Sequence, residues 1–347
     1  MYIKDLSCIS PQKTIDSSFM DGEIMNYSSN LIQVIEPDYS EIIPKGLLRR
    51  MGKAIRIGIG SGIFLLNKHK DVKGIIIGTA NGGLEDCIKF LNQIVQYDEG
   101  SLTPTNFVQS TPNGIAANLA MMTKNSSYNN THVNMGLAFE SALVDASLFF
   151  DEQNGKLLVG SVEEISDYNF NIDFLKGWVK KEDCSLDSLY NSNSTGSIIG
   201  EGACMFVLEN SPENALVRIV DVTQMISSKQ EDVDSLLNNF LQKNKLNTSD
   251  IDAVMIGLNG DLNHDYRYHQ IIDTHFPDQT ILTYKNCVGE YPTASGFALW
   301  LTSNILVTKK IPKSCLYKSG NKQIKRILIY NHYFGKLHGF ILVEGIK

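Results

Sequence analysis

The stretch that decides the fold is SIIGEGACMFVLEN (Ser197–Asn210), followed after the short polar turn SPEN by ALVRIVDVTQM (Ala215–Met225). Each run is apolar and rich in β-branched residues, and the turn between them holds Pro, Asn and Ser, so the pair reads as strand–turn–strand. On the N-terminal side lie a strand in KGIIIGTANGG (Lys73–Gly83), a helix over Leu84–Tyr97, and a helix from about Asn113. A buried strand in HVNMG (His132–Gly136) follows, then a helix in LAFESALVDASLFFDEQNG (Leu137–Gly155) and a strand in KLLVGSVEEIS (Lys156–Ser166). The C-terminal side repeats this rhythm. Helices at Val233–Asn244, Tyr266–His275 and Thr293–Val307 alternate with strands in DAVMIGLNG (Asp252–Gly260), TILTYKN (Thr280–Asn286), RILIYNHY (Arg326–Tyr333) and GFILVE (Gly339–Glu344). Two βαβαβαββ passages in one chain predict an internal duplication, with halves over 1–210 and 211–347. Alternating strands and helices imply largely parallel sheets buried on both faces. Stacked together, the halves would make an α/β protein, a five-layered αβαβα sandwich.

Three other regions carry weaker patterns. Residues 1–50 read as irregular, with a few strand-like fragments. IPKGLLRRMGKAIRIGIGSGIFLLN (Ile43–Asn67) reads as one long amphipathic helix starting near Pro44, a residue suited to a first turn. Residues 166–197 are polar and read as loop.

Composition narrows the function. Of 347 residues, 43% are hydrophobic and 20% charged, as in ordinary globular proteins, and the formal net charge is −7. A negative balance disfavours nucleic acid as a main partner. The six cysteines form no CxxC pair and no zinc-finger spacing, so buried free thiols are expected. His264, Asp265 and His269 lie close together without metal-ligand spacing, so no metal is expected. The glycine-rich turn at Thr79–Gly83 lacks the Walker lysine, so no nucleotide or other cofactor is expected. No apolar leader opens the sequence and no run approaches the length of a membrane span, which points to a soluble, cytoplasmic protein.

Several passages, in order, resemble the β-ketoacyl synthases of the thiolase superfamily. GEGACMFVLEN (Gly200–Asn210) resembles the family's Gly-Glu-Gly-Ala strand, and the start of IPKGLLRRMGKAIRIGI resembles an early helix. NFVQSTPNGIAANLAM (Asn106–Met121) resembles the segment before the nucleophile strand, and LLVGSVEEIS the strand after the nucleophile helix. YKNCVGEYPTASGFALWLTSNIL (Tyr284–Leu306) resembles the Lys-Ser-x-x-Gly-His passage. The resemblance runs over about residues 30 to 345 and implies the thiolase-like fold.

The chemistry of that family needs a cysteine at a helix N-terminus, where the thiolate takes the acyl chain, and two histidines that assist decarboxylation and condensation. All three positions depart here. The cysteine of Thr-Ala-Cys-Ser-Ser-x-Leu falls on Phe139, between the matching Ala138 and Leu143. The first histidine, after DAVMIG, falls on Gly257, and the second, after Gly289, on Glu290. Lys285 is kept, and Asp265 matches the acid that ends the first histidine's motif. No catalytic residue is therefore expected, and a benzyl group cannot hold a thioester. Ser141 would be rotated away from the pocket. Glu290 could serve as a base if its pKa were raised, or could pair with Lys285 or cap the helix near Thr293.

The resemblance implies a dimer, and in type II polyketide systems an active synthase often pairs with a cysteine-less homologue, the chain-length factor. The expected function is such a non-catalytic subunit, paired in a heterodimer with a cysteine-containing β-ketoacyl-ACP synthase and serving an acyl-carrier protein. FVQSTPN and YNHYF also look like synthase-like proteins of aryl-polyene and flexirubin pathways. On this reading Phe107, Gln109, Thr111 and Asn113 would face the partner's tunnel, with Phe334 in the degenerate final loop NHYFGKLHG, and Arg49, Arg50 and Lys53 could meet the carrier. Simple core packing is the alternative for Phe107. The competing functions are an independent enzyme acting on acyl or malonyl thioesters, as a decarboxylase or acyltransferase, and a scaffold that binds the carrier.

Overall fold

The computed structural model describes residues 1–346 other than 17 and 23. The first half runs β1 (Tyr2–Ile9), α1 (Lys45–Leu48), α2 (Lys53–Lys68), β2 (Val72–Gly78), α3 (Leu84–Gln96) and α4 (Pro104–Gln109). It continues with α5 (Gly114–Thr123), β3 (Tyr128–His132), α6 (Ala138–Glu152), β4 (Lys156–Glu163), α7 (Asp167–Leu175) and β5 (Gly202–Glu209). The second half runs β6 (Val217–Ile226), α8 (Gln230–Lys243), β7 (Ala253–Ile256), α9 (Tyr266–His275) and β8 (Thr280–Thr283). It ends with α10 (Lys285–Val288), α11 (Ser295–Thr308), β9 (Leu316–Lys318), β10 (Arg326–Tyr333) and β11 (Leu337–Gly345).

The strands form the order β3-β2-β4-β5-β1-β6-β11-β10-β7-β8-β9. Outward from the joint between β1 and β6, each half repeats the same sequence of strands. β5, β4, β2 and β3 follow β1, and β11, β10, β7 and β8 follow β6. The pairing senses repeat too. β2 is parallel to β3 and β4, as β7 is to β8 and β10, and β4–β5 and β10–β11 are antiparallel. β1 and β6 meet over two register pairs, Tyr2 with Arg218 and Ile3 with Val217.

Alternation along the strands explains the layering. Ile75 and Ile77 pack outward with Ile55, Ile59 and Ile63 of α2 and Ile115 and Leu119 of α5. Ile76, between them, points inward to the central core with Phe139, Leu143 and Ala146 of α6. On the other side Val254, Ile256 and Leu328 pack against α8 and α9 through Val233, Leu237 and Ile271. α6 and α11 lie between the two half-sheets, so the layers run helix, sheet, helix, sheet, helix. Central burial explains why α11, SGFALWLTSNILVT, shows almost no polar face.

Four local expectations are corrected. The chain start holds a central strand, β1, paired with β5 and β6; its polar residues find partners, Lys4 with Glu209 at 3.1 Å and Asp5 with Lys68 at 2.6 Å and His69 at 3.0 Å. The long helix from Pro44 breaks at residues 49–52. Gly52 is extended there, and its N–H bonds Gln109 Oε1 at 2.8 Å. The strand before α6 ends at His132 and is an edge strand with half-exposed side chains, because nothing in the chain lies beyond it. Residues 166–197 contain a helix, α7, and a short 3-10 turn at Leu186–Asn191.

All six cysteines are free, and four are buried. Among the described residues no helix is long and apolar enough to cross a membrane.

Candidate functional site

The site forms where the strand ends of both halves meet the start of α6. Phe139, the second residue of α6, is completely buried, and its ring lies 5.8 Å from that of Phe206 on β5. A nucleophile here would have the helix N-terminus to stabilise its anion. The benzyl group uses the place for packing instead.

Glu140, the next residue, is also buried, and burial pushes its carboxyl up to about 7. Ser141 is turned aside, as expected from its position along the helix. Its hydroxyl accepts from Asn134 Nδ2 at 3.1 Å and donates to Gln224 Oε1 at 3.2 Å on β6.

Opposite, three polar residues meet. Glu290 Oε2 accepts from Lys285 Nζ at 2.6 Å and from Asn259 Nδ2 at 2.6 Å. Lys285 is fully buried and Glu290 nearly so. The backbone of Glu290 is pinned to the 198–200 segment through Glu290 N–H to Ile198 O at 2.7 Å and Gly200 N–H to Glu290 O at 3.0 Å. Of the three roles left open for Glu290, pairing with Lys285 is the contact present. Glu290 Oε1 meets no donor among the described residues.

The residue of the β7 loop that reaches this centre is Asn259. Gly257, on which the sequence reading placed the first histidine, has no room for a side chain. A Cβ there would lie 2.3 Å from Asn331 Oδ1 and 2.6 Å from the Tyr268 hydroxyl. Asp265 holds the loop by accepting from Asn259 N–H at 3.1 Å and Gly260 N–H at 2.8 Å, and burial raises its carboxyl to about 6.

Two histidines near the site are structural. His332 is stacked on Tyr268 with centroids 4.1 Å apart, and burial holds its pKa well below the ordinary value. His338 bonds Tyr330 OH at 3.1 Å and Ser227 O at 3.1 Å, and burial lowers its pKa to about 4. His264 pairs with Asp261 at 2.6 Å.

Above Glu290 lies a cleft of about 40 Å3, lined by Glu163, Glu164, Phe170, Asp173, Tyr333 and Phe334 among others. That is room for a few waters at most and not for an acyl chain. Burial pushes Glu163 up to about 8 and Glu164 up to about 7. Phe334 closes one side, stacked on Trp178 at 3.9 Å.

The remaining candidates lie apart from this floor. Phe107 is 57% exposed on α4, backed by the Phe90 ring at 5.2 Å, so simple core packing does not describe it. Gln109 braces the turn at Arg50–Gly52. Thr111 is exposed. Asn113 reaches Asn129 Oδ1 at 3.2 Å and Thr131 Oγ1 at 3.3 Å on β3. Arg49 and Arg50 are exposed, whereas Lys53 is committed to buried Glu201 at 2.5 Å. The described residues bring no three His, Cys, Asp or Glu side chains together in a metal-binding group.

Residues 29–173 match the beta-ketoacyl synthase N-terminal domain. That stretch is less than half of the chain. No curated protein matches its sequence. Its fold is similar to that of a beta-ketoacyl synthase from Burkholderia phymatum STM815, with a TM-score of 0.83 and 15% identity over 100% of this chain and 99% of that one. It is also similar to the ishigamide ketosynthase/chain length factor, with a TM-score of 0.80 and 12% identity over 100% and 99% of the two chains. The third likeness is to the ketosynthase ApeO in complex with its chain length factor ApeC from Xenorhabdus doucetiae, with a TM-score of 0.78 and 14% identity over 99% and 98%. At such identities the likeness speaks for the fold alone, and the chemistry rests on this chain's own residues.

No thiol stands at the start of α6, and Glu290 Oε2 faces the Lys285 ammonium and the Asn259 amide.

Proposed function

We propose that this chain is the non-catalytic, chain-length-factor-like subunit of a heterodimer whose other subunit is an active, cysteine-containing β-ketoacyl-ACP synthase. The observation that carries the reading is Phe139, sealed in the core at the position where acyl transfer demands sulfur. The Asn259–Glu290–Lys285 cluster supports it, since it fills the opposite wall with a buried ion pair rather than with imidazoles.

A partner surface is available on the other side of α6. β3 ends the sheet and leaves a strand edge unpaired, a natural place for another chain to add. Val133 and Met135, which follow β3 in the chain, and Leu148 of α6 are exposed apolar residues. The pathway we favour is of the fatty-acid or polyketide type, aryl polyene in particular, with an acyl-carrier protein delivering substrate in the cytoplasm.

Co-expression with the cysteine-containing homologue encoded nearest to this chain tests the reading. A stable one-to-one complex is expected, and Phe107→Ala within it should change the length of the acyl product. A chain that stays apart from every such homologue would remove the proposal.

A further inference from the structure

The turn that leads into α6 touches both the exposed face and the cleft. Met135 stands on the face, 55% exposed, yet its backbone is left-handed, at φ 46°. A methionine takes that conformation only when its surroundings enforce it. The enforcement is visible one residue on. Gly136 is buried with its backbone against Tyr333, so close that a Cβ would lie 2.2 Å from Tyr333 Cβ. Tyr333 lines the cleft, and the residue after it, Phe334, is the second strained partner, at φ 50°. The Tyr333 and Phe334 rings are 4.3 Å apart, and Phe334 lies on Trp178. Two left-handed, non-glycine residues are thus the chain neighbours of one close contact, Gly136 against Tyr333.

We propose that Met135 is a positioning residue through which docking of a partner on the β3 face sets the Tyr333–Phe334 loop over the cleft. The proposal rests on the heterodimer reading for its trigger and on the Gly136–Tyr333 contact for its mechanics. A partner that packs on Met135 either holds the strained turn or relieves it. Tyr333 has no free space behind Gly136, so a change in the turn moves the Tyr333 ring, then Phe334, then the Trp178 stack.

Trp178 reports this directly. The chain has two tryptophans, and Trp300 lies elsewhere, buried against Phe19 and Phe297. In a Trp300→Phe background, the full chain labelled with 5-fluorotryptophan gives one fluorine resonance from Trp178. The probe is the unlabelled cysteine-containing ketosynthase, with complex formation followed by size exclusion. The resonance should shift on complex formation, and Met135→Ala should keep the complex and lose the shift. A complex that leaves the resonance unmoved, or a Met135→Ala complex that shifts it fully, overturns the proposal.

If no complex forms, the partner reading fails, and the free chain still decides the coupling. Gly136→Ala, whose Cβ would meet Tyr333, should shift the resonance while thermal unfolding stays cooperative. Leu148→Ala, at an exposed residue of α6, should not. An unmoved resonance in a cooperatively folded Gly136→Ala chain overturns the coupling on its own.

Discussion

Helix α6 has two ends of opposite character. At its start Phe139 and Glu140 are sealed among the strands of both halves, on the side of the molecule that also buries the Lys285–Glu290 ion pair. Further along, Asp145 and Leu148 look toward β3 and open solvent. There Asp145 gathers His132 at 2.8 Å, Asn130 at 2.9 Å and the Tyr128 hydroxyl at 3.0 Å. The region that would hold chemistry is closed, and the region that would hold a partner is open. The difference teaches that one helix can seal its start and expose its later turns, because the two ends depend on different side chains.

The comparison breaks first if the closed region is not a structural centre. Lys285→Met leaves Glu290 buried without its cation and should cost about 3–5 kcal/mol in chemical denaturation. The double variant Lys285→Met/Glu290→Met should recover most of that loss. A single variant as stable as the parent would mean that the pair is not buried in solution. Phe139→Ala should cost about 3–4 kcal/mol by the same measurement, from lost burial and the cavity left behind. A near-neutral result would place the ring in a solvated pocket.

The open region has a smaller expected effect. Val133→Asp with Leu148→Asp should weaken the heterodimer by about 2–3 kcal/mol, read by isothermal titration, while the melting temperature of the free chain changes little. Equal loss of both would make the face a part of the core.

The smallest effect sharpens the electrostatics of the closed side. Glu140, Glu163 and Glu164 have carboxyls raised to about 7, 8 and 7, so the folded state binds protons that the unfolded state has released. Stability contributed by these protons is present below the unfolded carboxylate range and is lost as pH rises through about 7 to 8. His332 and His338, lowered by burial, act oppositely, but only below their ordinary value of 6.5. Between pH 6.5 and 8.5 the carboxyls outweigh the opposite contribution of the N-terminal amine, which burial lowers from 8.0, and stability should fall by on the order of 2 kcal/mol. Glu163→Gln should flatten that slope, and an unchanged slope would assign it to other groups.

Much of this was legible in the sequence. Strong β-branched runs and 3.6-residue periods placed β2, β4, β5, β10 and most long helices, and α9 at Tyr266–His275 agreed to the residue. β1 was hidden because Lys4, Asp5 and Ser7 interrupt its apolar pattern; their partners come from distant segments. α7, with Asp and Asn among its aromatics, looked like loop because its polar residues outweigh its period. At the site, Phe139 and Glu290 could be read from neighbouring motif residues. Asn259 could not, since loop residues lack a period and only the crowding at Gly257 excludes the rival register.

The central claim is that this chain shapes a reaction it cannot perform. Malonyl-loaded carrier protein and an acyl primer, incubated with the chain alone, with its cysteine-containing partner alone and with both, test it by mass spectrometry of every product and protein. The account predicts no acylation and no carbon dioxide release from the chain alone, and full-length product only when both subunits are present. Acylation or decarboxylation by the chain alone, or identical products from the partner without it, would contradict the account.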